Sequence, residues 1–256
     1  MKIIPAFLLI FFSNCIFSQI NSLSIDYTIS KESKIIDNED AKINMSSTYN
    51  YLISAQDVLR NLKFKLIVKN SIIGQYKPIK LVRAPIKGMS DRMSEMVYDL
   101  AYSFAEDGRF FINLKENAIL NDFDSPDGTH YIISSKANKY QWKLTKETKK
   151  ISGYTCYKAT TQKITNNMAG TFAKPVTAWY APAIPIPFGP KDYNGLPGLI
   201  LELQEGTIGL YATKINLNPK EKIEINKPTK GKLMTQEEYD KSNGASYERA
   251  KNLLGG

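Results

Sequence analysis

The stretch LSIDYTI at residues 23–29 alternates strictly between apolar and polar side chains. Successive side chains of a β-strand point to opposite faces, so this period of two places every apolar group on one face. The pattern is typical of a strand that is buried on one side and solvated on the other. It predicts that the chain is built around an antiparallel β-sheet.

The same alternation recurs along the chain. A second clear case places Leu62, Phe64, Leu66 and Val68 on one face. Further strands are predicted at Arg109–Leu114, Thr129–Ser135, Lys139–Lys146, Tyr154–Gln162, Pro175–Ala181, Leu199–Gln204, Ile208–Leu217 and Lys222–Ile225. Short turn signals separate these roughly ten strands, and no strand–helix–strand alternation is visible. The expected fold class is mainly β (α+β), with a curved antiparallel sheet that resembles a half-barrel.

Three segments favour helices packed against this sheet. Residues 46–61 carry apolar side chains loosely on one side. Residues 90–106 fit a helix better, and their apolar stripe is expected to pack in the core. That stripe consists of Met93, Met96, Val97, Leu100, Ala101 and Phe104. Thr235 with Glu238 three residues later forms a capping box, so a C-terminal helix is predicted to begin there and, after Asn243, to resume through Leu254.

The first residues resemble an export signal. Met1-Lys2 supplies a positive charge, and the apolar run Ile3–Phe12 that follows is too short to span a membrane. We expect residues 1–18 to be a cleaved signal peptide and residues 19–256 to form a single domain. The mature protein is expected in the periplasm or outside the cell, without a transmembrane segment.

The cysteines and the net charge indicate which covalent links and which partners are to be expected. Lipid anchoring at Cys15 is not expected, because the preceding residues fit a lipobox poorly. Cys156 then remains alone, so no internal disulfide is expected. The formal net charge of +9 suits anionic lipids, polysaccharides or acidic proteins as partners, and in an exported protein not nucleic acid. Solvated strand faces account for most of the scattered lysines, and a specific anionic-ligand patch is the alternative.

The densest turn chemistry lies at residues 179–201, with the sequence WYAPAIPIPFGPKDYNGLPGLIL. Four prolines in its first half forbid a helix, so the segment is predicted to run as an extended loop or a sheet edge. Asn194-Gly195 favours a turn with positive φ, and Pro197-Gly198 suits the centre of a type II turn. The chain then enters a strand with Leu199, Leu201 and Leu203 expected on one face.

The hexapeptide Gly195 to Ile200 and its surroundings resemble the GLPGLI family. The resemblance begins near Trp142 and includes the stretch KKISGYTCYKA at residues 149–159. It continues through Trp179-Tyr180 and the Ile-Pro and Gly-Pro steps to the full hexapeptide. The resemblance implies an exported protein of outer-membrane-bearing bacteria, and the family has no assigned activity to transfer.

Two interpretations of this segment remain open. The residues Asn194, Gly195, Leu196, Pro197, Gly198, Leu199 and Ile200 form a structural signature, a tight corner whose glycines and proline satisfy backbone geometry. Alternatively, the pre-ordered loop is a recognition element, because ordering costs less on binding and aromatic rings supply contact area. The candidate surface for a ligand or partner is Trp142, Trp179, Tyr180, Pro185, Phe188 and Tyr193.

Metal and nucleophile chemistry finds little support. One histidine, His130, and one remaining cysteine do not make a zinc site, and the acidic loop at residues 122–128 lacks the spacing of an EF-hand. No metal and no cofactor are therefore expected. A pair of Cys156 and His130 is formally possible, but a thiol inside a strand pattern is more often buried and inert.

Three functions follow as hypotheses. The first is an envelope binding module that holds an apolar or amphiphilic ligand in the concave sheet, which requires an open cavity. The second is an accessory of outer-membrane transport that binds an envelope protein through the Pro-rich loop. The third is a hydrolase of unknown type that uses carboxylates or the Cys156–His130 pair.

Overall fold

The computed structural model describes residues 20–35, 46–105, 108–125, 128–167 and 170–242. Twelve strands form one sheet. They are β1 (Leu23–Ile29), β2 (Lys63–Lys69), β3 (Ile73–Pro78), β4 (Arg109–Asn113), β5 (Ala118–Asp124), β6 (His130–Lys136), β7 (Lys143–Ile151), β8 (Tyr154–Asn167), β9 (Gly170–Ala181), β10 (Leu199–Glu205), β11 (Ile208–Leu217) and β12 (Lys232–Thr235). The predicted signal peptide and the end of the C-terminal helix lie outside the described residues.

The sheet is open and mixed. Its strand order is β12-β6-β5-β4-β3-β2-β1-β11-β10-β9-β8-β7, and it does not close into a barrel. Every neighbouring pair is antiparallel except β12 and β6, which run parallel. The predicted mainly β class is therefore confirmed, while the expectation of a wholly antiparallel sheet of roughly ten strands needs this correction.

Sequence patterns missed three strands and placed one wrongly. β3, β5 and β12 lack a clean alternation of apolar and polar residues. The predicted strand Lys222–Ile225 is wrong, because this segment pairs with no strand of the described sheet. It instead crosses the sheet as an extended strap, residues 218–231, between the end of β11 and the start of β12.

The helices lie close to their predicted positions. α1 spans Ser46–Asn61 and α2 spans Asp91–Ala105. A further helix occupies residues 236–242. The capping box at its start is formed, since Glu238 N donates to Thr235 Oγ1 at 3.2 Å and Thr235 N donates to Glu238 Oε2 at 2.8 Å.

The buried face of α2 differs from the predicted stripe. Its buried residues are Ser94, Val97, Tyr98, Ala101, Tyr102 and Ala105. Met96 is instead 56% exposed. The rings of Tyr98 and Tyr102 face Arg83, whose guanidinium lies 5.5 Å from each ring centroid. Val97 and Ala101 of the predicted stripe are buried and Leu100 and Phe104 pack against the core, so the prediction fails mainly at Met96.

The main core lies on one face of the sheet, here called the inner face. Leu23, Ile25, Tyr27 and Ile29 of β1 form its centre, and each is at most 2% exposed. α1 and α2 cover this face together with residues from the Pro-rich loop. The inner face is thus filled by side chains over the strands that these elements cover, and it does not form the open concave cavity considered from the sequence.

A second, smaller core lies on the opposite face, here called the outer face. It joins β8, β9 and β10 with the loop before β10. A bulge in β10 between Ile200 and Glu202 explains why both faces are apolar there. Leu199 and Leu201 enter the main core, whereas Ile200 and Leu203 enter the second core. The predicted single leucine face is therefore split by the bulge.

No helix among the residues that the structure describes is long and apolar enough to cross a membrane.

Candidate functional site

The Pro-rich loop at residues 182–198 is fixed in the main core by three apolar side chains. Ile184, Ile186 and Phe188 are fully buried, while Pro182 and Pro185 are exposed. Phe188 lies against Gly74 of β3, where an added Cβ would come within 2.5 Å of the ring. The segment after Trp179-Tyr180 is therefore held in the main core by its side chains and is not a free recognition loop.

The hexapeptide makes a tight corner, although not the predicted type II turn. Gly195 has the expected positive φ of 89°. Gly198 has φ 157° and donates its N–H to Leu196 O at 2.8 Å. An added Cβ at Gly198 would lie 2.4 Å from Ala181 O, so only glycine fits beside this backbone.

A buried ion network lies where the loop returns over the outer face. Glu205 of β10 is 3% exposed and accepts hydrogen bonds from Lys191 Nζ at 2.9 Å and Tyr193 OH at 3.0 Å. Lys163 Nζ and Lys174 Nζ donate to its other oxygen at 3.3 and 3.2 Å. Burial alone would raise the pKa of Glu205, but the three ammonium groups outweigh it and hold the pKa well below the ordinary range.

A second buried carboxylate extends the network. Asp192 Oδ2 accepts from Lys139 Nζ at 2.5 Å, and its Oδ1 accepts from Tyr140 OH at 3.0 Å. Burial works against ionisation of Asp192, yet Lys139 and Lys163 together with these hydrogen bonds lower its pKa. Burial, followed by the charge of Asp192, raises the pKa of Tyr140 well above its ordinary value.

Among the described residues, lysines outnumber carboxylates in this network. Glu205 and Asp192 face four lysines, namely Lys139, Lys163, Lys174 and Lys191. Lys191 is enclosed, whereas the side chains of Lys163 and Lys174 are 23% and 49% exposed. Part of this positive charge therefore reaches the protein surface.

An aromatic cluster covers the network. The rings of Tyr140 and Tyr193 stack with centroids 4.5 Å apart, and Trp142 lies 6.1 Å from Tyr193. Trp142 Nε1 donates to Asn194 O at 2.9 Å, while Asn194 Nδ2 donates to Asp192 O at 2.8 Å. The cluster ties the segment before β7 to the loop, and Trp142 keeps part of its surface exposed.

The predicted surface residues do not form one patch. Phe188 and Tyr193 are fully buried and Tyr180 is 5% exposed, so their rings offer little contact area in this conformation. Trp179 lies on the inner face, opposite to Tyr180. Lys149 Nζ sits 4.4 Å from its ring centroid and binds both oxygens of Glu202 at 2.7 Å.

The outer face of β7, β8 and β9 contains a surface that sequence patterns did not identify. We call it the aromatic–lysine face. Its members are Trp142, Leu144, Tyr157, Lys163, Phe172 and Lys174. Leu144, Tyr157 and Phe172 are 53%, 38% and 51% exposed. The alternation within each strand could have assigned these residues to one face, but only the register of the three strands brings them together.

The only histidine of the chain lies in an outer cleft of about 330 Å³ beneath the strap. His130 Nε2 is 2.7 Å from Asp122 Oδ1, and its Nδ1 is 2.6 Å from Asp124 Oδ1. Arg109 binds both oxygens of Asp122 at 3.0 and 3.1 Å. These polar contacts join β4, β5 and β6 where the strap crosses them.

Cys156 and His130 do not meet. They lie on β8 and β6, which are near opposite ends of the sheet. Cys156 is fully buried, and burial is the main reason that its pKa rises to about 11. The thiol is therefore protonated at neutral pH and has no histidine base, which removes the Cys–His version of the hydrolase hypothesis.

Within the described ranges, no group of three or more histidine, cysteine, aspartate or glutamate side chains could hold a metal ion.

Comparison with protein-family profiles shows that one segment of the chain is similar to a family without an assigned function. Residues 171–202, from β9 to the start of β10, match the sequence profile of a family described as "Protein of unknown function (Porph_ging)". No curated protein matches the chain.

Two solved structures of PNGF-II, in different crystal forms, resemble the chain at 18% sequence identity with TM-scores of 0.48 and 0.45. They cover 86% and 78% of this chain, whereas the chain spans only 32% and 28% of theirs. By sequence, then, the chain is similar over residues 171–202 to a family of unknown function.

Proposed function

We propose that this protein is an exported binding module of the cell envelope that recognises an anionic, amphiphilic ligand on its aromatic–lysine face. Export rests on the signal-like residues 1–18, and the mature protein then acts in the periplasm or outside the cell. The ligand binds to the outer surface of the sheet rather than inside it.

The observation that carries this proposal is the combination of charge and exposed apolar area on one face. The ion network places four lysines beside two carboxylates, and Lys163 and Lys174 bring this excess to the surface. Leu144, Tyr157 and Phe172 expose apolar area on the same face. A ligand with an anionic group and an apolar part would satisfy both features.

The inner face offers no comparable support. Its core residues expose only a few per cent of their surface, and α1, α2 and the Pro-rich loop cover them. A second cleft of about 410 Å³ lies under the strap and is lined by charged groups such as Asp26, Lys65 and Glu221. An apolar chain gains nothing from leaving water for such a lining.

The test is calorimetric titration with a single-chain alkyl phosphate below its micelle concentration, beside the zwitterionic alkylphosphocholine of equal length. We expect the phosphate to bind and the phosphocholine to bind at least tenfold more weakly. The double variant Lys163→Gln/Lys174→Gln should lose about tenfold in affinity, or about 1.4 kcal/mol. Lys191 still pairs with Glu205 in this variant, and its circular dichroism should remain that of the parent.

A charge-matched control separates this face from the overall charge. Lys214→Gln/Lys220→Gln removes the same two charges from exposed positions elsewhere and should keep the affinity. Equal losses in both double variants would mean that only the net charge attracts the ligand. If neither amphiphile binds, but an envelope protein is retained and Pro185→Ala abolishes its capture, the alternative of a protein partner at the Pro-rich loop replaces this proposal.

A further inference from the structure

We infer that the partner of the aromatic–lysine face is the surface of an anionic lipid bilayer, on which the protein docks peripherally. This inference rests on the proposed function and names its ligand in the assembled state. The face is thus a membrane-docking surface rather than a pocket for one extracted lipid.

The wide spacing of the exposed apolar groups favours a lipid surface over a folded protein as the partner. Phe172 and Tyr180 are eight residues apart on β9, and Tyr157 lies opposite Tyr180. At about 3.4 Å per residue, Phe172 and Tyr157 are roughly 27 Å apart along the strands. A protein partner would bury a contiguous, well-packed patch, whereas lipid headgroups and upper acyl segments adapt to separated side chains.

Phe172 is placed where it can reach such a surface. β10 pairs with β9 only as far as Val176, and β7 pairs with β8 only as far as Thr160. Residues 161–165 and 171–174 therefore extend beyond the last paired residues of β7 and β10 as a two-stranded ribbon, and the hydrogen bond from Gly206 N to Pro175 O at 3.0 Å marks its base. A ribbon without neighbours is marginally stable alone, and contact with a bilayer would bury its exposed ring.

The lysines lie close to this ring and are held in position. Lys163 and Lys174 are directly paired across the two strands, and Phe172 is two residues from Lys174 on the same face. Their contacts with Glu205 restrain the two side chains next to the apolar contact. Lys150, paired with Thr155, adds an exposed cation on this face. A lysine near an anionic leaflet contributes about 1 kcal/mol, which corresponds to about a fivefold gain in partitioning.

The test is co-sedimentation of the full chain with large vesicles of phosphatidylcholine alone or with one third phosphatidylglycerol. We expect binding only to the anionic vesicles, with a strong reduction when salt screens the charges. The apolar double variant Leu144→Thr/Phe172→Thr should partition about tenfold less. Its matched control is Val82→Thr/Leu233→Thr, because Val82 and Leu233 are 86% and 66% exposed away from this face.

The outcomes separate this inference from the proposed function. If the alkyl phosphate monomer binds but the anionic vesicles do not, docking on a bilayer is overturned and the binding module stands. Equal vesicle binding by the two apolar double variants would also overturn the inference, because attraction would then be electrostatic alone. If neither probe binds, both proposals fail together.

Discussion

At the scale of single residues, buried polar groups decide where the fold gains and loses stability. Two tyrosines of the main core, Tyr27 and Tyr76, are fully buried and their rings lie 6.4 Å apart. Tyr27 OH donates to Ile200 O at 2.6 Å, so this hydroxyl ties β1 to the signature segment across β11. Tyr76 OH has no hydrogen-bond partner among the described residues. The two hydroxyls are thus both buried in the main core, but only that of Tyr27 forms a hydrogen bond.

Removing each hydroxyl should change stability in opposite directions. Tyr27→Phe loses a buried hydrogen bond to a carbonyl oxygen, which should cost about 1–3 kcal/mol of unfolding free energy. Tyr76→Phe removes a group that pays desolvation without a bond and should be neutral or stabilising by up to about 1 kcal/mol. Urea unfolding followed by circular dichroism measures both changes. Equal destabilisation by the two variants would contradict this assignment.

Glu205 should control the acid stability of the protein. Its pKa is lowered in the folded state, so its contribution is fully present above the ordinary glutamate pKa of about 4.3. That contribution is lost as pH falls below this value towards the lower folded-state pKa. Glu205→Gln leaves Lys191 buried without its carboxylate and should cost about 3–5 kcal/mol at pH 7.

The pH dependence distinguishes this role from simple packing. The difference in unfolding free energy between the parent and Glu205→Gln should shrink steadily as pH is lowered from 5 to 2.5 in urea titrations. Glu202→Gln is a suitable control, since Glu202 pairs with Lys149 at a half-exposed site. A difference that stays constant with pH would show that the charge of Glu205 is not what stabilises the fold.

At the scale of elements, the signature hexapeptide acts as a structural corner. Gly195 and Gly198 both have positive φ, but their surroundings differ. Gly195 has open space where a Cβ would lie, whereas at Gly198 that space is taken by the backbone of Ala181 and Pro182. The two glycines therefore offer a matched comparison within one turn.

Alanine substitution should separate these two requirements. Gly195→Ala carries only the cost of a left-handed backbone, about 1–2 kcal/mol. Gly198→Ala must also displace the backbone that begins the loop, and should cost clearly more, about 3 kcal/mol or above. Thermal unfolding of the two variants measures the order, and a smaller loss for Gly198→Ala would show that the corner can shift at little cost.

Elements with a strong local pattern could be predicted, and those that depend on distant contacts could not. β1 and α2 could be predicted because their apolar periodicity is visible within the segment itself. β3 was missed because Gly74 interrupts its alternation, and that glycine is needed by Phe188 from far along the chain. β12 was missed because its parallel partner β6 lies far earlier in the chain; Met234, for example, is paired with Ile133.

In the candidate site, too, local patterns could be predicted from the sequence and distant contacts could not. The resemblance directed attention to the 179–201 segment, and its aromatic and proline content was visible. The partners of Glu205 were not visible, because Lys163, Lys174 and Lys191 meet it only through strand pairing and the returning loop. Residues such as Phe188 were assigned to a surface because an aromatic ring in a loop gives no sign of whether it points inwards.

At the scale of the whole molecule, the sheet has the main core on one face and the second core with the proposed recognition surface on the other. The inner face is covered by α1, α2 and the Pro-rich loop, and it holds most of the buried apolar residues. The outer face carries the strap at one end and the second core with its ion network at the other. The second core reaches solvent at Tyr140 and Trp142, which lie just before β7 and are partly buried.

Hydrogen exchange in the presence of a bound amphiphile tests the central claim most directly. Amides at residues 139–151, 161–165 and 171–174 lie at the sheet edge or beyond neighbouring strands, so they should exchange readily in the free protein. Saturation with the alkyl phosphate should slow exchange in these segments and leave the strap at residues 218–231 unchanged. Protection confined to the strap and the outer clefts, with none at the β7–β9 end, would contradict recognition by the aromatic–lysine face.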